Sequence, residues 1–563
     1  MSSFLSRVLG RSWLGPLVIL LASAVVYLPL LDAGFVNWDD DQNFLQNEHY
    51  RGLAFEQLAW MFTTFHHGGY QPLSWLSLGA DYCVWGMDPL GYHLTNLILH
   101  AANSLLFYTL VAEILLVLGG RRPVTWASVA AALLFSVHPL RVESVAWITE
   151  RRGLLAALFW LATLCSYLKA HRAGSRRRRW LLLALASFVC SLLSKGFGLT
   201  LPLVLLVLDV WLLCRRGPLG LVLEKLPFVL AALLVGALAR LAQVEGGAVR
   251  SWAEHGLVER AAQAAYGICF YLRKTLVPVD LSPLYPLEEK LDWSEGRFLL
   301  SAGLVFALTV LGWRWRRARP GMLAVWISYL IILAPVLGFT QSGPQLVADR
   351  YSYLACLPFA LLAGGILASL RERRLLAGLC AVLVLLPLAA LCRRQSAVWR
   401  SSTALWRQAL NVHPESYTAR FQLGHALGEL ERYEQAAVQY ELCVERKPSH
   451  ADAWFNLGMA YYRLGRHGEA VLAWKRRERL RPGEARTLYC LGLASFALER
   501  DEDAVAYARS ALERAPEWAS AFHLMAEAHL RLGETDAAVR AFERVLHLDP
   551  GHAEAARRLA ELR

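Results

Sequence analysis

The sequence predicts an all-α chain in two parts, a polytopic membrane region followed by a solenoid of short helices. Three observations carry that expectation. Hydrophobic residues fill 56% of the 563 positions and charged ones only 18%, with a mean hydropathy of +0.34, outside the soluble globular range. Apolar runs of about 17 to 25 residues recur between positions 13 and 391. As helices these satisfy their own backbone hydrogen bonds across a ~30 Å hydrocarbon core. Beyond residue 400 the long runs stop, and Pro414, Pro448, Pro482, Pro516 and Pro550 fall 34 residues apart.

The apolar runs predict eleven spans: 13–31, 94–118, 124–138, 153–169, 180–193, 197–213, 221–241, 297–313, 321–339, 353–370 and 375–391. The first lacks a small-residue cleavage site and reads as a retained anchor. The net charge of +12 sits largely in short clusters between runs, such as Arg121 with Arg122, Arg176 to Arg179, and Arg371 with Arg373 and Arg374. Such clusters mark cytoplasmic ends and anionic headgroups rather than nucleic acid. They place the N-terminus inside and residues beyond 391 outside. Segment 262–278 carries Arg273 and Lys274 and reads as a re-entrant or interfacial helix. The ten cysteines include no CxxC pair, so neither a disulfide framework nor a zinc site is expected.

The 34-residue period is kept by Gly424, Gly458 and Gly492, by Leu423, Leu457 and Leu491, and by Ala436, Ala470, Ala504 and Ala538. Small residues where two helices cross, with proline at the inter-repeat turn, are the tetratricopeptide signature. The domains expected are therefore a membrane domain, 1–400, with a large loop at 32–93, and a repeat domain, 401–563. The latter holds four repeats after a half-repeat and ends in a capping helix. The groove of such an array takes a polypeptide, or serves as a spacer or dimerisation surface.

The loop opens with "GFVNWDDDQNFLQNEHY", residues 34–50, whose Asp39, Asp40 and Asp41 face outward on this topology. Three other outer segments carry ionisable groups. "SVHPLRVESVAWITERRGLL" holds His138, Arg141, Glu143, Arg151 and Arg152, "SLLSKGFGLTLP" holds Lys195, and "GPQLVADRYSYL" holds Asp349, Arg350 and Tyr351. Taken singly, such cations are snorkelling anchors and such acids are caps or structural partners. Collected on one face they suit a transferase, in which cations bind a lipid phosphate and a carboxylate takes a proton from an acceptor hydroxyl. A divalent cation held by the adjacent acids is left open, with no further ligands apparent.

The motifs "FVNWDDD", "QPLSWLSLGADY", "GYHLTNLILHAANSLLF", "HPLRVESVAWITERR", "SKGFGLTLPLVLLVLDVW" and "ADRYSYL", in this order before the repeats, resemble the transmembrane and tetratricopeptide-repeat protein O-mannosyltransferases and their bacterial relatives. The resemblance implies a membrane glycosyltransferase fold of the C superfamily. It implies transfer of mannose or another hexose from a polyprenyl-phosphate donor to Ser or Thr hydroxyls of an acceptor polypeptide. It places the acidic pair on Asp39 and Asp40 as catalytic candidates, and Arg151, Lys195 and Arg350 on the donor phosphate. His138, Arg141, Glu143, Asp349 and Tyr351 are supporting residues. Gly153 and Gln71 stand where relatives tend to carry an acid and a histidine. The expected setting is a bacterial inner membrane with loop and repeats periplasmic, or an endoplasmic reticulum membrane with both lumenal. A non-enzymatic membrane scaffold and a transferase acting on a glycan or lipid are the alternative readings.

Overall fold

The computed structural model describes residues 13–118, 125–245, 256–287, 291–339, 343 and 345–563. They form two compact units, 1–408 and 409–563. The first is almost wholly helical; a short antiparallel pair, Tyr285–Pro286 with Gln345–Val347, is the sheet among the described residues.

Six helices in this unit are long and apolar enough to cross a membrane: Leu14–Asp32, Pro89–Val117, Ile148–Ala170, Pro218–Glu245, Gly296–Arg314 and Leu375–Val398. Two bent pairs raise the number to eight if each is one span, namely Trp126–Ser136 with Pro139–Ala146 and Asp349–Ala355 with Leu357–Ser369. The remaining three of the eleven expected spans fall on helices that fail on length or charge. Arg177–Ser194 opens with three arginines, while Gly196–Leu212 and Pro320–Val336 are shorter. Gly196–Leu212 is itself a composite of a 3-10 turn, a seven-residue α-helix and a π turn. Segment 262–278 falls on one helix, Leu257–Leu276. Its buried cations are held by backbone oxygens: Arg260 Nη1 donates to Gly338 O at 2.9 Å and Lys274 Nζ to Asp280 O at 2.9 Å.

The loop after the first span has a core of its own. Phe44, Tyr50, Met61, Trp75, Leu78 and Tyr92 pack together on Ile148, which ties the loop to the segment carrying Glu150 and Arg151. Its start is pinned by residues that follow the last span. Gly34 N donates to Arg400 O at 3.2 Å, and Trp406 Nε1 to Asn37 Oδ1 at 2.7 Å. Trp38 stacks on Trp147 at 6.2 Å, and Trp147 on Trp399 at 6.2 Å. Because Trp399, Leu405 and Trp406 are buried in this way, the first unit runs to 408, eight residues past the expected boundary.

The second unit stacks helix pairs from Tyr417–Glu429 with Tyr433–Arg446 to Ala519–Arg531 with Thr535–Leu548, ending in Ala553–Leu562. The periodic glycines mark the crossings. A Cβ on Gly424 would meet the Tyr440 ring at 2.8 Å, and one on Gly458 would enter the Trp474 indole. Ala436, Ala470, Ala504 and Ala538 are each fully buried at the same register. The repeats thus close by aromatic rings seated on side-chain-free backbone.

Candidate active site

Asp39 and Asp40 are adjacent but engaged differently. Asp40 is buried, and both its oxygens are in use. Oδ1 accepts from Thr149 N at 3.1 Å and Thr149 Oγ1 at 2.7 Å, and Oδ2 accepts from Val36 N at 3.1 Å. Burial raises its pKa to about 7 against the pull of these donors. Asp39 has a positive φ of 70°, a conformation that is strained for a side chain other than glycine. Its backbone is held there by the one-turn π helix Asp41–Leu45, with Asn43 N donating to Asp39 O at 2.9 Å. Asp39 is solvent-accessible, yet protein crowds it enough that desolvation raises its pKa. Arg152, Arg350 and His67 stand close enough for their charges to oppose that rise.

Beside it, three cations gather on one buried carboxylate. Lys195 Nζ lies 2.9 and 2.8 Å from the two oxygens of Glu150, Arg152 Nε lies 3.2 Å from Oε1, and Arg350 Nε 3.9 Å from Oε1. Arg350 is fixed from the far side. Its backbone N and Nη1 donate to Glu143 at 2.7 and 2.5 Å, and its guanidinium lies over the rings of Trp147 and Tyr351. Lys195 sits where the helix Arg177–Ser194 ends in extended backbone, and the preceding residue is anchored by Ser74 Oγ donating to Ser194 O at 2.8 Å. Burial lowers the Lys195 pKa to about 8, with Arg152 adding to the fall and Glu150 opposing it. Gly153 makes room for this arrangement, since a Cβ there would come 2.7 Å from Glu150 Oε2. Three cations converging on a part-exposed face, held in place by Glu150 and Glu143, can meet an anion there.

The sequence-derived candidates divide accordingly. Asp39, Lys195 and Arg350 come together, and Glu143 orients Arg350. Asp40 holds the loop. Arg151, expected on the donor phosphate, is instead fully buried: Nη2 pairs with Asp81 at 2.8 Å and donates to Tyr92 O at 2.8 Å, Nη1 donates to Ser77 Oγ at 3.0 Å, and Nε donates to Asn96. Its neighbour Arg152 takes the place facing Asp39, because consecutive residues at the start of a helix point about 100° apart. Asp349 accepts from Tyr285 OH at 3.0 Å, and Tyr351 OH accepts from Gln345 Nε2 at 2.9 Å. His138 caps its own turn through Leu140 N and reaches Thr275 O at 3.0 Å, and Arg141 lies under Phe135 and Tyr353, so neither joins the cluster. Glu150 and His67 are the members that sequence reasoning passed over, and Arg152 is one that it named without giving it a role. The run "TERR" contains Glu150 and Arg152, and only the helix phase tells its arginines apart.

Among the described residues, the group of acids and histidine close enough to share a metal ion is His171, Asp209 and Glu224. Arg215 Nη1 already stands between them, at 2.9 Å from Asp209 Oδ1, 3.0 Å from Glu224 Oε1 and 3.5 Å from His171 Nε2. Asp39 and Asp40 fit a shared cation poorly, since Asp40 spends its oxygens on Thr149 and Val36.

Tetratricopeptide-repeat family models match residues 421–485 and 519–562. The human protein O-mannosyl-transferase TMTC4 is 27% identical over 499 residues, covering 77% of this chain and 66% of the relative. The protein O-mannosyl-transferase F38B6.6 of Caenorhabditis elegans is 23% identical over 450 residues, covering 77% and 63%. A solved structure of MamA, residue 41 to the end, from Desulfovibrio magneticus RS-1 is 20% identical, covering 29% of this chain and 91% of that one, with a TM-score of 0.26. Fold and matches together define the class, a helical membrane protein carrying tetratricopeptide repeats. Within that class the chain is similar to the protein O-mannosyl-transferases named TMTC4 and F38B6.6, and it spans roughly two thirds of the length of those two proteins.

Proposed function

We propose that the chain is a membrane glycosyltransferase that moves a hexose, mannose in the first instance, from a polyprenyl-phosphate donor to Ser or Thr hydroxyls of proteins on the outer membrane face. The observation that carries this reading is the placement of Asp39, the accessible acid, beside the cations gathered on Glu150. Asp39 takes the proton from the acceptor hydroxyl as the oxygen attacks the sugar's anomeric carbon. The bond from that carbon to the phosphate oxygen breaks, and the phosphate keeps the electron pair. Arg152, Lys195 and Arg350 meet the charge that develops on the leaving phosphate. Asp40 acts by positioning, since its hydrogen bonds to Val36 and Thr149 hold the strained turn that presents Asp39.

The names of the relatives support protein O-mannosylation as the reaction class. Polypeptide binding is a common use of a tetratricopeptide groove, which supports acceptor capture by residues 409–563. The setting this reading fits best is a bacterial inner membrane with loop and repeats periplasmic; an endoplasmic reticulum membrane with both lumenal serves the same chemistry. In this reading the three cations meet the charge of the displaced phosphate, and a divalent cation at the site stays an open addition to them.

The test is direct. Full-length protein in lipid nanodiscs is offered polyprenyl-phosphate mannose and an acceptor polypeptide, and the mass of the acceptor is followed. Gain of a hexose by the wild type and its loss with Asp39→Asn is the expected result. Full transfer by Asp39→Asn would place the base elsewhere, and no transfer to any polypeptide would return the chain to the scaffold reading.

A further inference from the structure

Arg141 is a buried cation that the transfer chemistry leaves unused. It is 1% exposed, and among the described residues no carboxylate pairs with it. Its Nη1 donates to Ser352 O at 2.7 Å, its guanidinium lies 5.5 Å from the Phe135 ring centre and 5.6 Å from that of Tyr353, and its Nε has no acceptor. Arg151 is matched by Asp81, Arg350 by Glu143 and Arg477 by Glu484, while Arg260 Nη1 donates to two backbone oxygens, Gly338 O and Phe339 O. An unmatched buried guanidinium costs several kcal/mol, which ring faces and one carbonyl offset only in part.

Arg141 lines the polar end of a cavity of about 560 Å³, a size typical of ligand sites. His138 and Thr275 are its other polar neighbours there, and both are already hydrogen-bonded. The remaining wall is apolar, supplied by Leu134, Phe359, Ala363, Leu383, Pro387 and Leu391. Leu383 and Val384 are more than half exposed, on a helix able to span a membrane, and Leu276 and Val277, which also line the cavity, are exposed too. The cavity therefore opens sideways into hydrocarbon. No carboxylate lines it, so a choline or ethanolamine ammonium finds no ion-pair partner there.

We infer that this groove holds an anionic phospholipid, with its phosphate on Arg141 and one acyl chain along the apolar wall. The phosphate supplies the counter-charge that the protein lacks and an acceptor for Nε. The inference does not rest on the transferase reading, because Arg141 lies outside the cluster around Glu150.

The test uses full-length protein in nanodiscs of phosphatidylcholine with a minority of phosphatidylglycerol, released gently and weighed by native mass spectrometry. The wild type should retain a single phosphatidylglycerol in preference to phosphatidylcholine. Arg141→Gln should lower that retention about tenfold, the worth of one charge-assisted contact. Ala363→Trp, which fills the groove and leaves the arginine in place, should lower it as well and covers the case in which Arg141→Gln fails to fold. Equal retention of the two lipids, or unchanged phosphatidylglycerol in both variants, would overturn the inference. So would displacement of phosphatidylglycerol by added polyprenyl phosphate, since the groove would then belong to the donor.

Discussion

At Asp40 each carboxylate oxygen already accepts a hydrogen bond from the protein, whereas at Asp39 the backbone is strained and the side chain is left accessible. The two acids should therefore fail differently. Asp39→Asn should lower transfer by about 10²- to 10⁴-fold, the usual worth of a general base, with an unchanged thermal midpoint. Asp40→Asn must turn an amide nitrogen toward either Val36 N or Thr149 and should cost about 1–3 kcal/mol of stability, seen as a lower midpoint by intrinsic tryptophan fluorescence. The adjacent arginines separate in the same way. Arg151→Ala strands Asp81 in a buried site and should destabilise by about 3–5 kcal/mol, seen as poor recovery of folded protein. Arg152→Ala should fold normally and lose transfer. The pH profile follows from the two shifted groups. Asp39 must be ionised, and its pKa is raised, so activity falls on the acid side at a higher pH than an ordinary aspartate would give. Lys195 must be charged, and its pKa is lowered, so activity falls again as pH rises through about 8. Lys195→Arg should move the alkaline limb upward; a limb that stays in place would assign it to another group.

The elements differ in how far their sequence foretold them. Spans and repeats were readable because hydropathy and a 34-residue period are local and repeated, so each copy reinforces the others. Gly424 and Gly458 were readable as crossings, and the Tyr440 and Trp474 rings fill the space their missing side chains leave. The helix Arg177–Ser194 ends between the expected spans 180–193 and 197–213, with Lys195 just past it. Three features were not readable. The choice between Arg151 and Arg152 depends on helix phase to within one residue. The role of Glu150 depends on Lys195 and Arg350, cations from two distant segments, as well as on its near neighbour Arg152. The anchoring of the first loop by Trp399 and Trp406 depends on packing across more than 350 residues. The repeat helices offer a paired test. Gly458→Ala drives a methyl into the Trp474 indole and should destabilise the repeats by about 1–3 kcal/mol. Gly428→Ala meets nothing within 4 Å inside a helix and should stabilise them by about 0.4–1 kcal/mol. Proteolysis of the full chain on a temperature ramp should show repeat cleavage earlier for the first and later for the second; the same direction for both would remove the crossing argument.

For the whole molecule, the site's dependence on residues beyond the last span decides where it can be cut. Asn37, two residues before Asp39, accepts a hydrogen bond from Trp406 at 2.7 Å, and Asn37 N donates to Ser402 Oγ at 3.0 Å. Trp38 meets Trp406 edge-to-face at 5.1 Å and stacks on Trp147, over which Arg350 lies. The segment from Trp399 to Trp406 is thus a buttress for both Asp39, the proposed base, and Arg350, one of the proposed phosphate-side cations. A chain ended after residue 414 keeps the helix Ser402–Val412 and all these contacts. On the proposed division of labour, in which the repeats supply capture and not chemistry, it should glycosylate a short Ser/Thr peptide at close to the full-length rate while losing most of its rate on a protein acceptor. A chain ended after residue 400 keeps every span but loses Trp406, leaving Asn37 Oδ1 without its indole donor and uncovering Trp38. It should fail on peptide and protein alike. Equal loss on both acceptors in the 414 truncation would mean that the repeats act on the site itself, and a 400 truncation active on peptide would mean that the tryptophan buttress is dispensable.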